Sequence, residues 1–119
     1  MRRTPFETAV LLALMLNRSN KTRGRVSEQT FRKVARREQL RTAFKEQVRY
    51  ELEDLNVFLF ELGRYGFALV AASALNGAPS LTANKLISED LNHLGNGKKT
   101  IKDLINELGL DDDDEDSEE

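Results

Sequence analysis

The spacing of apolar residues changes its period near residue 57, and this change restricts the fold more than any other feature of the 119-residue chain. Before it, apolar residues recur at the spacing of an amphipathic helix: Leu40, Phe44, Val48, Leu52 and Leu55. After it, residues 57–62 and 67–71 are two apolar runs rich in β-forming side chains, separated by residues 63–66 with a glycine at each end. This arrangement predicts a β-hairpin. The fold class is therefore predicted to be mainly α with one β-hairpin.

The first of three helices predicted before the hairpin begins at a capping box. The Thr4 side chain can accept from the amide of Glu7, the Glu7 side chain can accept from the amide of Thr4, and Pro5 occupies the first helical position. We expect this helix to run to about residue 17 and to lie centrally in the core, because apolar side chains occupy nearly all of its sides. Those side chains are Phe6, Val10, Leu11, Leu14 and Met15.

Two further helices are predicted after a basic loop over residues 18–25. Ser27 is suited to cap a short helix over about residues 28–36. The third helix is expected over about residues 38–56, and whether a break near Arg37 separates it from the second stays open.

Two more helices are predicted beyond the hairpin. Thr82 can cap a helix that runs to about residue 94, and residues 100–108 have the apolar spacing of a last short helix. We expect that last helix to pack on a second copy of the chain, with closure of the monomer core as the alternative. Residues 111–119 contain eight acids and are predicted to be a disordered acidic tail.

Charge is strongly segregated along the chain although the net charge is only −2. Residues 1–50 carry 13 Lys and Arg against 4 Asp and Glu, a net charge of +9. Residues 51–119 carry 5 against 16, a net charge of −11. This asymmetry indicates a basic surface for a polyanion together with an acidic tail.

Composition argues against several classes of function. The chain has no cysteine and one histidine, so disulfides, thiolate metal sites and His-rich metal sites are not expected. No catalytic motif stands out, and we predict a protein that is not an enzyme and has no cofactor. The longest apolar run, residues 9–16, is far shorter than the ~20 residues of a membrane span. The protein is therefore predicted to be cytoplasmic and not bound to a membrane.

Lysine and arginine are concentrated in residues 18–49, which contain 11 cations and three acids. On the third predicted helix, cations recur every four residues at positions 37, 41, 45 and 49, so like charges share one face, and a phosphate backbone would relieve their repulsion. The alternative is a solvated face partly neutralised by Glu38, Glu46 and Glu53. The candidate nucleic-acid-binding residues are Arg23, Arg25, Arg32, Lys33, Arg36, Arg37, Arg41, Lys45, Arg49 and, at the hairpin tip, Arg64.

The order of three helices and a hairpin, with the basic residues on the second and third helices, resembles a winged helix-turn-helix over about residues 4–71. The resemblance implies that the third helix enters a groove of DNA, that the second crosses the backbone and that the hairpin acts as a wing. Thr42, Gln47 and Gln29 are the side chains suited to hydrogen-bond base edges. On this reading, residues 1–110 form a single winged-helix-like domain with C-terminal helices.

The sequence therefore favours a small DNA-binding protein, a transcriptional or accessory regulator that works as a dimer. RNA stays open as the nucleic acid. The alternative function is a non-enzymatic protein-interaction module that docks an acidic partner through the basic helix. Salt dependence distinguishes the two, because DNA binding releases counterions and therefore weakens steeply as the salt concentration rises.

Overall fold

The structure is a computed structural model that describes residues 1–110. These residues fall into two compact units, Met1–Ala78 and a second unit that begins at Pro79. The sequence predicts one domain over residues 1–110, whereas the structure divides that range because the residues of each unit pack mainly among themselves. Each unit is described by itself. The predicted disordered tail, residues 111–119, lies outside the described residues.

Within residues 1–110 the first unit contains three helices and three strands, and the second contains three short helices. In chain order the elements are α1 (Pro5–Ser19), β1 (Arg23–Val26), α2 (Glu28–Ala35), α3 (Thr42–Asp54), β2 (Val57–Glu61), β3 (Phe67–Ala71), α4 (Ala83–Leu86), α5 (Ser88–Gly95) and α6 (Ile101–Glu107). Single 3₁₀ turns follow β2 and β3, at Gly63–Tyr65 and Ala72–Leu75. The described chain is therefore mainly helical with one small sheet, as the coarse fold class predicts.

The sheet contains one strand more than the predicted hairpin. β2 and β3 pair antiparallel where the hairpin was predicted, and β1 pairs antiparallel with the other edge of β3, so the strand order is β1-β3-β2. The prediction of a loop over residues 18–25 was wrong at β1. The four residues of β1 have no alternating apolar pattern, and only Val26 is buried. Pairing with β3, rather than local propensity, therefore makes this segment a strand.

The core of the first unit lies between the helices and one face of the sheet. Its largest fully buried side chains are Phe31, Leu12, Leu52, Leu69, Val48 and Thr8. The rings of Phe31 on α2 and Phe67 on β3 are tilted by 59° with their centroids 4.8 Å apart, a favourable aromatic geometry. On α3 the predicted apolar stripe is confirmed at Phe44, Val48 and Leu52, which are all buried.

The buried side of α1 differs from the predicted one. Thr8, Ala9, Leu12 and Leu16 are its buried residues. Most of the side chains expected in the core are instead exposed, among them Phe6 at 54% and Met15 at 41%. The expectation that α1 is covered on all sides was wrong, because α2 and α3 cover only one side of it. An all-round apolar sequence does not indicate which side is covered.

α2 and α3 are separated by a six-residue linker, residues 36–41. Ser27 caps α2 as predicted, since its side chain accepts from the amide of Thr30. α2 ends where Arg36 adopts a left-handed conformation with φ 55°. α3 begins at Thr42 rather than at the predicted residue 38, because Leu40 packs against the core from a non-helical segment.

The second unit contains α4, α5 and α6. Thr82 caps the first of them as predicted, but the predicted continuous helix to residue 94 is interrupted where Ile87 leaves helical geometry with φ −136°. α6 begins at a capping box formed by Thr100 and Asp103. An ion pair between Lys99 Nζ and Asp90 Oδ1, 2.8 Å apart, links the segment before α6 to α5.

Candidate nucleic-acid interface

The chain start is attached to the end of α2, beside the α2–α3 linker. The amide of Arg3 donates to the carbonyl of Ala35 at 3.0 Å, and Nη1 of Arg3 donates to the carbonyl of Val34 at 3.0 Å. These bonds satisfy two carbonyls that a helix leaves unpaired at its C-terminus. They also place Arg2 next to the linker. The sequence carried no signal for this contact, because 31 positions separate Arg3 from Val34.

Arg37 stabilises the linker and does not extend from α3. Its guanidinium carbon lies 3.7 Å from the centre of the Phe44 ring, and its Nη2 donates to the carbonyl of Arg3 at 2.9 Å. Burial lowers the pKa of Arg37 and the positive charge of Arg2 lowers it further, although an arginine stays protonated at ordinary pH. The prediction that Arg37 shares one helix face with the other cations was wrong, since it precedes α3.

The remaining cations of the predicted row also differ from one another. Lys45 Nζ lies 2.9 Å from Glu61 Oε2, and only 20% of the Lys45 side chain is exposed. Arg49 forms an ion pair with Glu46. Arg41 is the residue before α3, is exposed and has no ion pair within residues 1–110. The predicted face of four repelling cations was therefore wrong, because nearby carboxylates neutralise two of them.

Part of the positive charge that has no ion pair within residues 1–110 lies around the α2–α3 linker. We call the depression there the arginine cleft; its volume is about 350 Å³ and its lining residues are Arg2, Arg36, Arg37, Glu38, Gln39 and Arg41. Within residues 1–110 neither Arg36 nor Arg41 has an ion pair. On neighbouring α2, Lys33 is likewise unpaired, whereas Arg32 lies 3.6 Å from Glu28. Four guanidinium groups and the single carboxylate of Glu38 surround this depression, a net charge of 4 − 1 = +3, so a bound anion would stabilise the arrangement.

The turn of the hairpin lies near the N-terminal half of α3. The ion pair between Lys45 of α3 and Glu61 at the end of β2 holds these two segments together. Arg64 and Tyr65 in the turn are both exposed, with the Arg64 guanidinium 5.7 Å from the Tyr65 ring centre. The predicted tip residue Arg64 is therefore accessible beside the helix that carries the candidate base-contacting side chains.

The candidate base-contacting side chains are exposed. Thr42 is the first residue of α3, Gln47 lies one and a half turns further, and Gln29 lies in the first turn of α2. Residues 51–54 at the other end of α3 include three acids. A polyanion would therefore be attracted by the N-terminal half of α3 and repelled by its C-terminal half.

Arg23 and Arg25 do not belong to the arginine cleft. They lie on β1, opposite Val70 and Ala68 of β3. Those two β3 residues alternate with buried ones such as Leu69, so their side chains and the two arginines point away from the core. The structure therefore separates these two cations from the basic surface to which the sequence assigned them.

The part of the chain that the structure describes shows neither a cluster of metal ligands nor a membrane-spanning helix. Within residues 1–110 no three His, Asp or Glu side chains lie close enough together to hold a metal ion. Over the same range no helix combines the length and apolar character needed to cross a membrane. Comparisons with protein-family models, with curated proteins and with solved structures give no match.

Proposed function

We propose that Met1–Ala78 is a winged helix-turn-helix that binds duplex DNA. The element order α1-β1-α2-α3-β2-β3 and the sheet order β1-β3-β2 support this assignment, since they place two consecutive helices before a hairpin that can serve as a wing. In this arrangement α3 is the recognition helix and the turn Gly63–Tyr65 is the wing. The chain is then a small DNA-binding regulator.

The arginine cleft is the observation that carries the proposal. Arg36 at the end of α2 and Arg41 immediately before α3 present unneutralised charge at the cleft. Phosphate oxygens beside Arg41 would also meet the positive end of the α3 dipole. No acid lies in the first turn of α3 to oppose an anion there. Phosphate contacts at the cleft would orient α3 so that Thr42 and Gln47 face base edges.

The test measures the affinity of the full chain for a random-sequence duplex by fluorescence anisotropy at several salt concentrations. The variant reverses both free cations, Arg36→Glu with Arg41→Glu. Because it removes two charge-assisted contacts, we expect affinity to fall about a hundredfold. The slope of log affinity against log salt should also fall by about 2. Lys45 is left unchanged because its reversal would also break the ion pair with Glu61.

The matched control is Lys85→Glu with Lys98→Glu, which makes the same change in net charge in the second unit. This control should keep most of the affinity and the full salt slope. The proposal is overturned if both double variants lose affinity equally, or if the wild-type chain binds polyglutamate but not duplex DNA. The second result would favour the interaction module with an acidic partner. A parallel titration with duplex RNA distinguishes the two nucleic acids.

A further inference from the structure

The sheet of the first unit has a second face that points away from the core and is bordered by α3 at the β2 edge. Successive side chains of a strand point to opposite faces. On β2, Val57 and Leu59 are buried, so Phe58 and Phe60 point away from the core. We call this surface the outer sheet face; its residues are Arg23, Arg25, Phe58, Phe60, Ala68 and Val70. Phe60 is 52% exposed, an unusual position for a large aromatic side chain.

The strand register orders the outer sheet face into two parallel rows. One row runs from Phe60 on β2 across Ala68 on β3 to Arg25 on β1. The second runs from Phe58 across Val70 to Arg23. Each row therefore has an aromatic ring at one edge, a small aliphatic residue in the centre and a guanidinium at the other edge. From strand geometry, the rows are ~7 Å apart and each spans ~10 Å between its outer Cα atoms.

The two charged side chains of the outer sheet face are both arginines. At the β2 edge the face is bordered by charges of both signs, since Phe58 and Phe60 line a depression together with Lys45, Glu46, Arg49, Glu53 and Glu61. Arg23 and Arg25 form no ion pair or side-chain hydrogen bond within residues 1–110, and both are exposed. The acid nearest in the register, Glu61, is on the opposite face, where it pairs with Lys45. Two unpaired guanidinium groups beside two aromatic rings fit a ligand that is both anionic and aromatic.

The pairing of aromatic rings with unpaired arginines helps to decide which partner the outer sheet face binds: a second copy of the chain, duplex DNA or single-stranded nucleic acid. A second copy of the same face would place four arginines in one interface, which is costly because two of the three acids that border the face, Glu46 and Glu61, already pair with Arg49 and Lys45. Duplex DNA offers phosphates, but its base faces are stacked on one another and cannot pack on the phenylalanines. Single-stranded nucleic acid offers both phosphates and unstacked bases.

We propose that the outer sheet face binds single-stranded nucleic acid, with bases stacked on Phe58 and Phe60 and phosphates contacted by Arg23 and Arg25. This site is separate from the arginine cleft and does not depend on the duplex binding proposed above. Stacking on phenylalanine selects no particular base, so the site accepts a strand with little regard to its sequence.

The test measures the anisotropy of a labelled oligothymidine of about a dozen nucleotides with the full chain. Phe60→Ala should weaken binding about tenfold or more, since base stacking is lost at a half-exposed position that contributes little to folding. Phe60→Tyr should keep near wild-type affinity. Phe60→Leu should behave like the alanine variant, because leucine retains apolar surface without an aromatic face. Tyr50→Ala on α3, an aromatic residue that is 73% exposed, is the matched control and should bind normally.

Two results keep this site distinct from duplex binding. Phe60→Ala should leave duplex affinity unchanged, and Arg36→Glu with Arg41→Glu should retain most oligothymidine affinity. The proposal is overturned if wild-type protein does not bind oligothymidine, if Phe60→Leu binds as wild type, or if Tyr50→Ala loses as much affinity as Phe60→Ala. It is also overturned if Phe60→Ala abolishes self-association in sedimentation without changing oligothymidine binding, which would assign the face to a second copy.

Discussion

Replacing Gly66 by alanine should destabilise the first unit through a contact between the hairpin and the start of α2. Gly66 is buried and has φ +84°, a conformation that side chains with a Cβ rarely adopt. An added Cβ would lie 2.5 Å from the carbonyl oxygen of Val26 and 3.1 Å from Cα of Ser27. Both are backbone atoms, so no side-chain rotation can make room. Either the hairpin turn or the backbone of Val26 and Ser27, which joins β1 to α2, must move.

The expected loss of unfolding free energy is the sum of two separate costs. A non-glycine residue in a sparsely populated backbone region costs about 1–3 kcal/mol. Forcing extra volume into a closely packed site costs about 1–3 kcal/mol more. We therefore expect Gly66→Ala to lower the free energy of unfolding by about 2–6 kcal/mol, a large part of the stability of a small domain.

Gly63→Ala is the matched control in the same turn. Gly63 also has a positive φ, +64°, but an added Cβ there meets no atom within 4 Å. Only the cost of a left-handed residue applies, about 1–2 kcal/mol. Urea denaturation of both variants, followed by circular dichroism, measures the difference. Equal losses for the two variants would refute the reasoning, because the close approach to Val26 would then contribute nothing.

Three further predictions rest on burial and charge. Phe44→Ala, at a buried position, should lower the free energy of unfolding by about 3–5 kcal/mol. Tyr50→Ala, on the exposed side of α3, should change it by less than about 0.5 kcal/mol. Comparable losses for the two variants in urea denaturation would contradict the apolar stripe assigned to α3. Truncation after Leu110 removes the acidic residues 111–119 and leaves 18 Lys and Arg against 12 Asp and Glu, a net charge of +6. Because the tail can compete with DNA for the basic surface, the truncated protein should bind non-specific DNA more tightly than the full chain at low salt but not at high salt. Equal affinities of the two proteins at low salt would contradict this prediction. The hydrogen bond from Lys99 holds the pKa of Asp90 below its ordinary value. The stability that this pair contributes is therefore fully present above the ordinary aspartate pKa of about 3.9. It is lost as the pH falls through the lowered pKa of the folded protein. Asp90→Asn should remove that part of the acid transition in circular dichroism, and an unchanged transition would show that the pair does not stabilise the second unit.

Local signals in the sequence predicted much of the fold. The capping box at Thr4, the caps at Ser27 and Thr82 and the apolar stripe of α3 all depend on residues within a few positions of each other. The hairpin is equally local, because one short turn joins its strands. These elements therefore follow from spacing alone.

The features that the sequence missed depend on contacts between distant residues. β1 is a strand only because Arg23–Val26 pairs with β3, more than forty positions later. Arg37 turns inward because the Phe44 ring and the carbonyl of Arg3 accept its guanidinium. The covered side of α1 depends on where α2 and α3 pack. The periodicity of residues within one segment does not carry this information. The sequence could therefore predict that the candidate site is basic, but not which of its cations lie together.

Ion pairing separates the cations that stabilise the first unit from those available to a ligand. Lys45 and Arg49 have carboxylate partners, and Arg37 is held by an aromatic ring and a carbonyl. A polyanion that bound these three would have to replace existing contacts, which reduces the net gain. Within the described residues, Arg36 and Arg41 in the cleft, like the two arginines of β1, have no such contacts to lose. Charge at those positions is unfavourable in the free protein and favourable in a complex, which is the difference that drives binding. The spacing of cations along a helix therefore identifies a binding surface less well than the absence of their acidic neighbours.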